Sequence, residues 1–289
     1  AIVTEAGADW NPVWSPDGTQ IAFQTDRDAN REIYLANADG TSQANITNDS
    51  YRDQTPHWSP DGTQIAYVHR GEVEGGATND IYVMNADGTA QTPLVTGPGD
   101  DRRPIWSPDG QKIVFFSSEA GTTDLFSVNA DGTGLTRLTD GSIHREYPRW
   151  SPDGSQIAFS GEGEGVGEGG SPPDIWVMDA DGSNLVNVTQ TPDSDELEPY
   201  WSPDGAKIVV KSWSGEVSSL VVMDADGLNA TPVAGSDDDA NPAWSPFMPT
   251  VIAEQALVLD GVDDYVDMGD EAALKITGAL TLEAWFNTT

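Results

Sequence analysis

The sequence predicts an all-β fold, a β-propeller of four-stranded blades, on three observations. Trp-Ser-Pro recurs six times, with Trp14, Trp58, Trp106, Trp150, Trp201 and Trp244 at intervals of 44, 48, 44, 51 and 43 residues. Five of the six continue as Trp-Ser-Pro-Asp-Gly, and each of these is followed by two short β-branched or aromatic runs and then an Ala-Asp-Gly. A period in the forties built from strand-length segments is the pattern of a repeat architecture whose units bury their apolar faces against each other.

Each unit reads the same way. A first strand ends at the Trp, as in Asn11–Ser15. Pro-Asp-Gly then makes a turn, because Pro presets φ and Gly accepts the left-handed position. The second strands are Ile21–Phe23, Ile65–Tyr67, Ile113–Phe115, Ile157–Phe159 and Ile208–Val210. The third are Ile33–Leu35, Ile81–Val83, Leu125–Val128, Ile175–Val177 and Leu220–Val222, all rich in residues that fit a pleated surface. Ala-Asp-Gly turns follow, and weaker fourth strands close the units at Ala44–Thr47, Pro93–Thr96, Thr136–Thr139, Val186–Thr189 and Thr231–Ala234. Five blades are complete. Ala1–Thr4 reads as a lone fourth strand and Asn241–Ser245 as a lone first strand, so a sixth blade is partial. No signal-peptide pattern or initiating Met stands at Ala1, and the chain reads as a fragment or a processed product.

These residues resemble the TolB-type propeller family, whose repeat runs approximately P-x-W-S-P-D-G-x-x-I-A-F, then I-Y-V-M-N-A-D-G. Pro56–Ala66 and Asn79–Gly88 carry the likeness most closely, and it extends over residues 1–246. The resemblance implies a propeller and leaves function open, since relatives include an envelope-complex component, gating domains of peptidases and pectin-fragment lyases. Residues 247–255 read as a linker. Residues 256–289, with Leu-Val-Leu-Asp-Gly-Val-Asp-Asp-Tyr-Val-Asp-Met-Gly and Thr-Leu-Glu-Ala-Trp-Phe, resemble the opening of a laminin-G-like, concanavalin-like jelly roll, here a truncated piece.

Composition excludes several functions. With 48 acidic and 13 basic residues the net charge is −35, which argues against nucleic acid or anionic membrane as a partner. No cysteine is present, so thiolate catalysis, disulfides and Cys-bound zinc are out. No run of 18 apolar residues predicts a membrane-spanning helix. His57, His69 and His144 are the only histidines, and no nucleophile elbow, phosphate loop or paired metal-binding His motif occurs, so the chain reads as a non-enzyme.

Candidate binding residues come from position. Five residues before the six Trp stand Asp9, Asp53, Asp101, Arg145, Glu196 and Asp239, and two before stands Pro every time. Five acids at the start of the innermost strands predict a ring of carboxylates at a channel mouth, suited to a cation or a basic segment; turn capping is the competing explanation. Asp26, Asp28 and Asn30 place oxygens at alternate positions, like the start of a calcium loop, although the sixth position is Arg31 where such a loop needs Gly. Calcium is thus the one cofactor with any support. The repeated Trp reads as a packing wedge, and Tyr51, Tyr147, Tyr200 and Trp213, off the pattern, as the aromatics that could meet a ligand. The expected function is a monomeric interaction module of a secreted, periplasmic or cell-surface protein. It would bind a protein, peptide or glycan on the face formed by inter-blade loops and second-to-third-strand loops. The alternative is the propeller domain of a polysaccharide-processing enzyme, a lyase or glycoside hydrolase.

Overall fold

A computed structural model of the chain describes residues 7–73, 76–119, 121, 123–141, 145–162, 172–215, 217–233, 265–267 and 273–275. The described residues form five four-stranded antiparallel sheets, each a blade with its strands in chain order. Blade 1 is β1 (Asp9–Trp14), β2 (Gln20–Thr25), β3 (Glu32–Asn37) and β4 (Ala44–Asn45). Blade 2 is β5 (Arg52–Trp58), β6 (Gln64–Val73), β7 (Gly76–Asn85) and β8 (Thr92–Val95). Blade 3 is β9 (Arg102–Trp106), β10 (Lys112–Ser117), β11 (Asp124–Asn129) and β12 (Thr136–Arg137). Blade 4 is β13 (Arg145–Trp150), β14 (Gln156–Gly161), β15 (Asp174–Asp179) and β16 (Val186–Asn187). Blade 5 is β17 (Asp195–Trp201), β18 (Lys207–Ser214), β19 (Val217–Asp224) and β20 (Thr231–Pro232). A separate hairpin pairs β21 (Tyr265–Asp267) with β22 (Ala273–Lys275). The chain divides into two compact units, the first running to Trp150 with the turn Ala180–Ser183 and the second from Ser151 onward.

The expected second and third strands of all five blades fall inside these elements, while four of the fourth strands shrink to two residues; the expected strands Ala1–Thr4 and Asn241–Ser245 lie outside the described residues. The ladder still continues one residue further, with Ile46 N–H on the Ile33 carbonyl (2.9 Å) and Leu138 N–H on that of Leu125 (2.8 Å). The next residue then turns its side chain to a latch. The Thr47, Thr139 and Thr189 hydroxyls accept the N–H of Ile33, Leu125 and Ile175 at 3.0, 3.1 and 2.9 Å. Each donates to the acid that opens the third strand: Glu32, Asp124 (2.7 Å) or Asp174 (3.1 Å).

The Trp-Ser-Pro-Asp-Gly turn is built identically five times. Ser59 Oγ donates to Asp61 Oδ1 at 2.6 Å and accepts the Gln64 N–H at 2.9 Å, and the same pair of bonds recurs at Ser15, Ser107, Ser151 and Ser202. Gly62 takes φ of +70°, where a side chain would be strained. Hydrogen bonds, first from Ser59, hold Asp61 below the usual carboxylate range, and Asp153, held by Ser151 and Ser155, falls to about 2. The Ala-Asp-Gly turn docks beside it, with Ala86 N–H on the Thr63 carbonyl (2.9 Å). Both turns therefore share one end of each blade, called here the turn end.

The Trp wedge fills the space between successive blades. Trp58 packs among Ala22, Ile33, Leu35 and Ile65, and donates its indole N–H to the Val13 carbonyl at 3.2 Å. Trp150 repeats this bond to Ile105 at 3.3 Å. In the second unit Trp201 packs with Ala158, Ile175, Val177 and Ile208. A buried indole of this size usually finds a partner for its N–H; at Trp58 and Trp150 the neighbouring innermost strand supplies it, whereas Trp106 Nε1 is buried without one.

Candidate functional site

At the opposite end of each blade, the loop end, lie the residues the sequence singled out. Three of the acids five before the Trp are enclosed in their blades. Asp53, Asp101 and Glu196 are buried, at 0%, 2% and 3% exposure. The ladder explains why: Asp53 faces His69 and Glu196 faces Ser212 across the first strand pair, while Ser117 hydrogen-bonds Asp101. Each backbone N–H also bonds the preceding blade, Asp53 to the Arg31 carbonyl (2.7 Å), Asp101 to Asn79 (2.8 Å) and Glu196 to Pro173 (2.7 Å). Asp9 differs; it is exposed and meets Arg27 at 3.2 Å. Asp239 lies outside the described residues, as do His144 and the expected partial sixth blade.

The bond from blade to blade brings two acids together at three junctions. Arg31, Asn79 and Pro173 each precede an acid of a third strand, the first residue of β3 and β15 and the fifth of β7, so Glu32 stands by Asp53, Asp80 by Asp101, and Asp174 by Glu196. Thr191 hydroxyl contacts both Asp174 and Glu196. Burial pushes Asp101 up to about 7, against the pull of Ser117 and helped by the charges of Asp80, Glu119 and Asp100. Burial likewise raises Glu32, Asp53, Asp80 and Glu196.

The first of these junctions is the most elaborate. His69 Nδ1 meets Asp53 Oδ1 at 2.8 Å, and Asp49 from the loop between blades 1 and 2 joins them, with one ligand atom from each of the three within 4.8 Å of the others. The His69 ring is flanked by Tyr51 (5.0 Å between ring centres) and Tyr82 (4.4 Å). Burial lowers the affinity of His69 for a proton, but Asp53 outweighs it and the net shift is upward. Asp49 and Glu32 were not singled out from the sequence; the signal was Glu32 opening the third strand, legible only once the blade-to-blade register is known.

Asp26, Asp28 and Asn30 face different partners. Asp26 Oδ1 accepts the Ala8 N–H at 2.9 Å, Asp28 Oδ2 accepts from Tyr34 and from Asn45 (3.0 Å), and the Asn30 amide donates to Glu32 Oε1 at 2.6 Å. His57 is neutral at physiological pH, since burial and then the Arg149 charge lower it to about 4, and it accepts the Trp106 N–H at 3.4 Å.

The innermost strands share one feature invisible in the sequence. The residue before the conserved-position Pro has positive φ in all five blades: Asn11 (49°), Thr55 (48°), Arg103 (53°), Tyr147 (58°) and Glu198 (54°). The ladder slips at the same place in blades 1, 2, 3 and 5. These are β-bulges, which re-aim side chains where strands meet functional surfaces. Two of these residues, Arg103 and Tyr147, meet each other, and two further cation–aromatic pairs lie at the loop end. Arg103 lies over Tyr147 (4.1 Å), Arg31 over Trp10 (5.0 Å), and Lys211 near Trp213 (5.7 Å). Tyr51 is 39% exposed and Trp213 42%.

Charge is sorted between the two ends. Of the eight Lys and Arg residues between residues 7 and 141, only Lys112 belongs to the turn end, which carries two turn Asp per blade. Arg27, Arg31, Arg52, Arg70, Arg102 and Arg103 belong to the loop end, and Arg137 reaches Asp124 there at 2.6 Å.

Repeated four-stranded antiparallel sheets wedged by one Trp each define a β-propeller protein. The chain belongs to the TolB beta propeller domain family, whose description matches residues 1–77 and 72–248. No curated protein sequence matches it. Among solved structures it is similar to putative TolB from Agrobacterium tumefaciens, at 25% identity and a TM-score of 0.65 over 85% of this chain and 88% of that one. It is similar in fold to TolB from Acinetobacter baumannii, at 24% identity and a TM-score of 0.63 over 78% of this chain, and spans 54% of that protein's length. An oligogalacturonate lyase in complex with manganese shares the fold at 17% identity, with a TM-score of 0.61 over 78% of this chain and 64% of that one. Among the described residues no helix is long and apolar enough to cross a membrane.

Proposed function

We propose that this chain is a non-catalytic interaction module of a secreted or cell-envelope protein, and that it takes a protein partner on the loop ends of its blades. The observation that carries the reading is the sorting of side chains between the two ends. The turn end is five near-copies of one acidic turn, each Asp occupied by its own Ser, Thr or backbone N–H. The loop end varies from blade to blade and holds the cation–aromatic pairs Arg31–Trp10, Arg103–Tyr147 and Lys211–Trp213. Exposed aromatic and Arg side chains are the residue types that anchor protein interfaces, while repeated turns serve the fold. The family membership supports this reading, because one member type in it is TolB itself.

The test is selection of displayed peptides on the immobilised chain, with binders mapped by hydrogen exchange. Protection at Trp10, Arg31, Tyr51 and Arg103, lost in Trp10→Ala with Arg31→Glu, is expected. Binders that protect the Pro-Asp-Gly turns instead, or turnover of polygalacturonate or peptide substrates by the chain alone, would overturn it.

A further inference from the structure

We propose that Asp49, Asp53 and His69 form a binding site for one divalent transition-metal ion of the Zn2+ or Mn2+ class, which pins the loop between blades 1 and 2 to the first strand pair of blade 2. Two observations carry it independently. The first is convergence: two carboxylates and one imidazole present atoms within 4.8 Å of each other. Ligands held about 2.1 Å from one ion lie about 3.0 to 3.4 Å apart, so Asp49 has to move in, while His69 Nδ1 and Asp53 Oδ1, now 2.8 Å apart, release the proton between them to solvent and part by a few tenths of an ångström. The partly exposed Asp49 is free to do so by side-chain rotation, since its Oδ1 is tied only to the Tyr51 N–H (2.6 Å).

The second observation is an orphan. Asp53 is wholly buried, and its Oδ2 has no hydrogen-bond partner among the described residues. The Thr47 hydroxyl is close, but its single proton goes to Glu32. A buried carboxylate oxygen without a donor is unfavourable, and an ion between Asp53 and Asp49 removes the deficit. An imidazole nitrogen among the ligands favours zinc or manganese over calcium or magnesium, which prefer oxygen alone. The surroundings suit a fixed ligand: Tyr51 and Tyr82 hold the His69 ring on two sides. Two carboxylates plus neutral imidazole bring charge −2, matched by a divalent ion. The ion's work would be structural. Asp49 and Asp53 flank Tyr51, so fixing both fixes the exposed Tyr51 at the loop end.

The test uses the whole 289-residue chain without an affinity tag, stripped with EDTA and dialysed at 0.15 M salt. Equilibrium dialysis against Zn2+, Mn2+, Ca2+ and Mg2+ should show one saturable equivalent for the first two above the diffuse binding expected of an acidic surface. Co2+ should give a visible absorption band from a nitrogen ligand. The His69→Gln variant should lose the band and the saturable equivalent. Asp49→Asn, at a partly exposed position that tolerates change, should weaken binding at least tenfold while circular dichroism stays unaltered. The proposal is overturned by no saturable Zn2+ or Mn2+ binding at 1 mM, by equal affinity for Ca2+, or by a Co2+ spectrum unchanged in Asp49→Asn.

Discussion

Replacing Asp101 by Asn should stabilise the protein at alkaline pH and do so less as the pH falls. Asp101 is buried at the junction of blades 2 and 3, with the charges of Asp80, Glu119 and Asp100 around it. Its carboxyl rises from 3.8 to about 7, desolvation being the largest cause. The sign follows from proton linkage. Between pH 4 and pH 7 the folded chain holds this proton and the unfolded chain has lost it, so stability falls as pH rises through that window. Below it neither state is charged, and above it the full penalty applies. Three pH units correspond to about 4 kcal/mol as a ceiling, and relaxation around the site would leave about 1 to 3 kcal/mol. Asn carries no charge, keeps a carbonyl oxygen for the Ser117 hydroxyl, and offers its amide hydrogens to Asp80. Urea unfolding at pH 4.5, 5.5, 6.5, 7.5 and 8.5, in constant salt, gives the difference between variant and wild type at each pH. That difference should grow in the variant's favour by at least 1 kcal/mol from pH 4.5 to pH 8.5. A difference that stays flat with pH, or that shrinks, would show that Asp101 is charged in the folded state and that burial does not govern it.

Three further substitutions test the repeat itself. Ser59→Ala removes the 2.6 Å bond to Asp61 and the 2.9 Å bond from Gln64, and should cost about 1 to 2 kcal/mol in a urea titration followed by Trp fluorescence. Thr139→Val keeps the shape of the latch but removes the 2.7 Å bond to Asp124, which Arg137 still holds, and the hydroxyl acceptor of the Leu125 N–H; a loss of about 1 to 3 kcal/mol is expected, and a loss below about 0.5 would show the latch to be idle. Thr55→Gly relieves a β-branched residue at φ of 48° whose Oγ1 is buried without a partner. Strain relief of about 1 to 2 kcal/mol should offset the roughly 1 kcal/mol entropic cost of Gly, so stability holds or rises, whereas an ordinary strand position would lose about 1 kcal/mol.

The blades were legible in the sequence because their determinants are local and repeated. A Pro-Asp-Gly turn needs its residues in a fixed order, and Ile21, Ile65, Ile113, Ile157 and Ile208 all sit at the same offset from a Trp. The chemistry at the loop end was half legible. The acids five before the Trp were found by position, yet their burial was not, because it depends on register: Asp53 is a buried partner of His69 only because β5 pairs with β6 as it does. Glu32 and Asp49 were missed since they come from the preceding blade and its connecting loop, 21 and 4 residues from Asp53. Nothing local marks that meeting. Predictions for residues 234–264 and for the jelly-roll resemblance fall outside the described residues, apart from the backbone hairpin of β21 and β22.

The bulges show why the loop end, and not the Trp repeat, separates this chain's function from its fold. A left-handed backbone is usually signalled by Gly or Asn, but here the five positions hold Asn, Thr, Arg, Tyr and Glu, so composition gives no warning. The geometry is instead imposed by what surrounds it: a Pro on one side, a ladder that slips by one residue, and a Trp wedge that fixes the strand below. Because the backbone is dictated from outside, the side chain at that point is released from any duty to fold the blade. It can then change from blade to blade, as Arg103 and Tyr147 do, and still be aimed the same way. At Arg103 and Tyr147 a strained position is held where Gly would relax it, and there the side chains of successive blades meet, at the end that also carries the pairs Arg31–Trp10 and Lys211–Trp213.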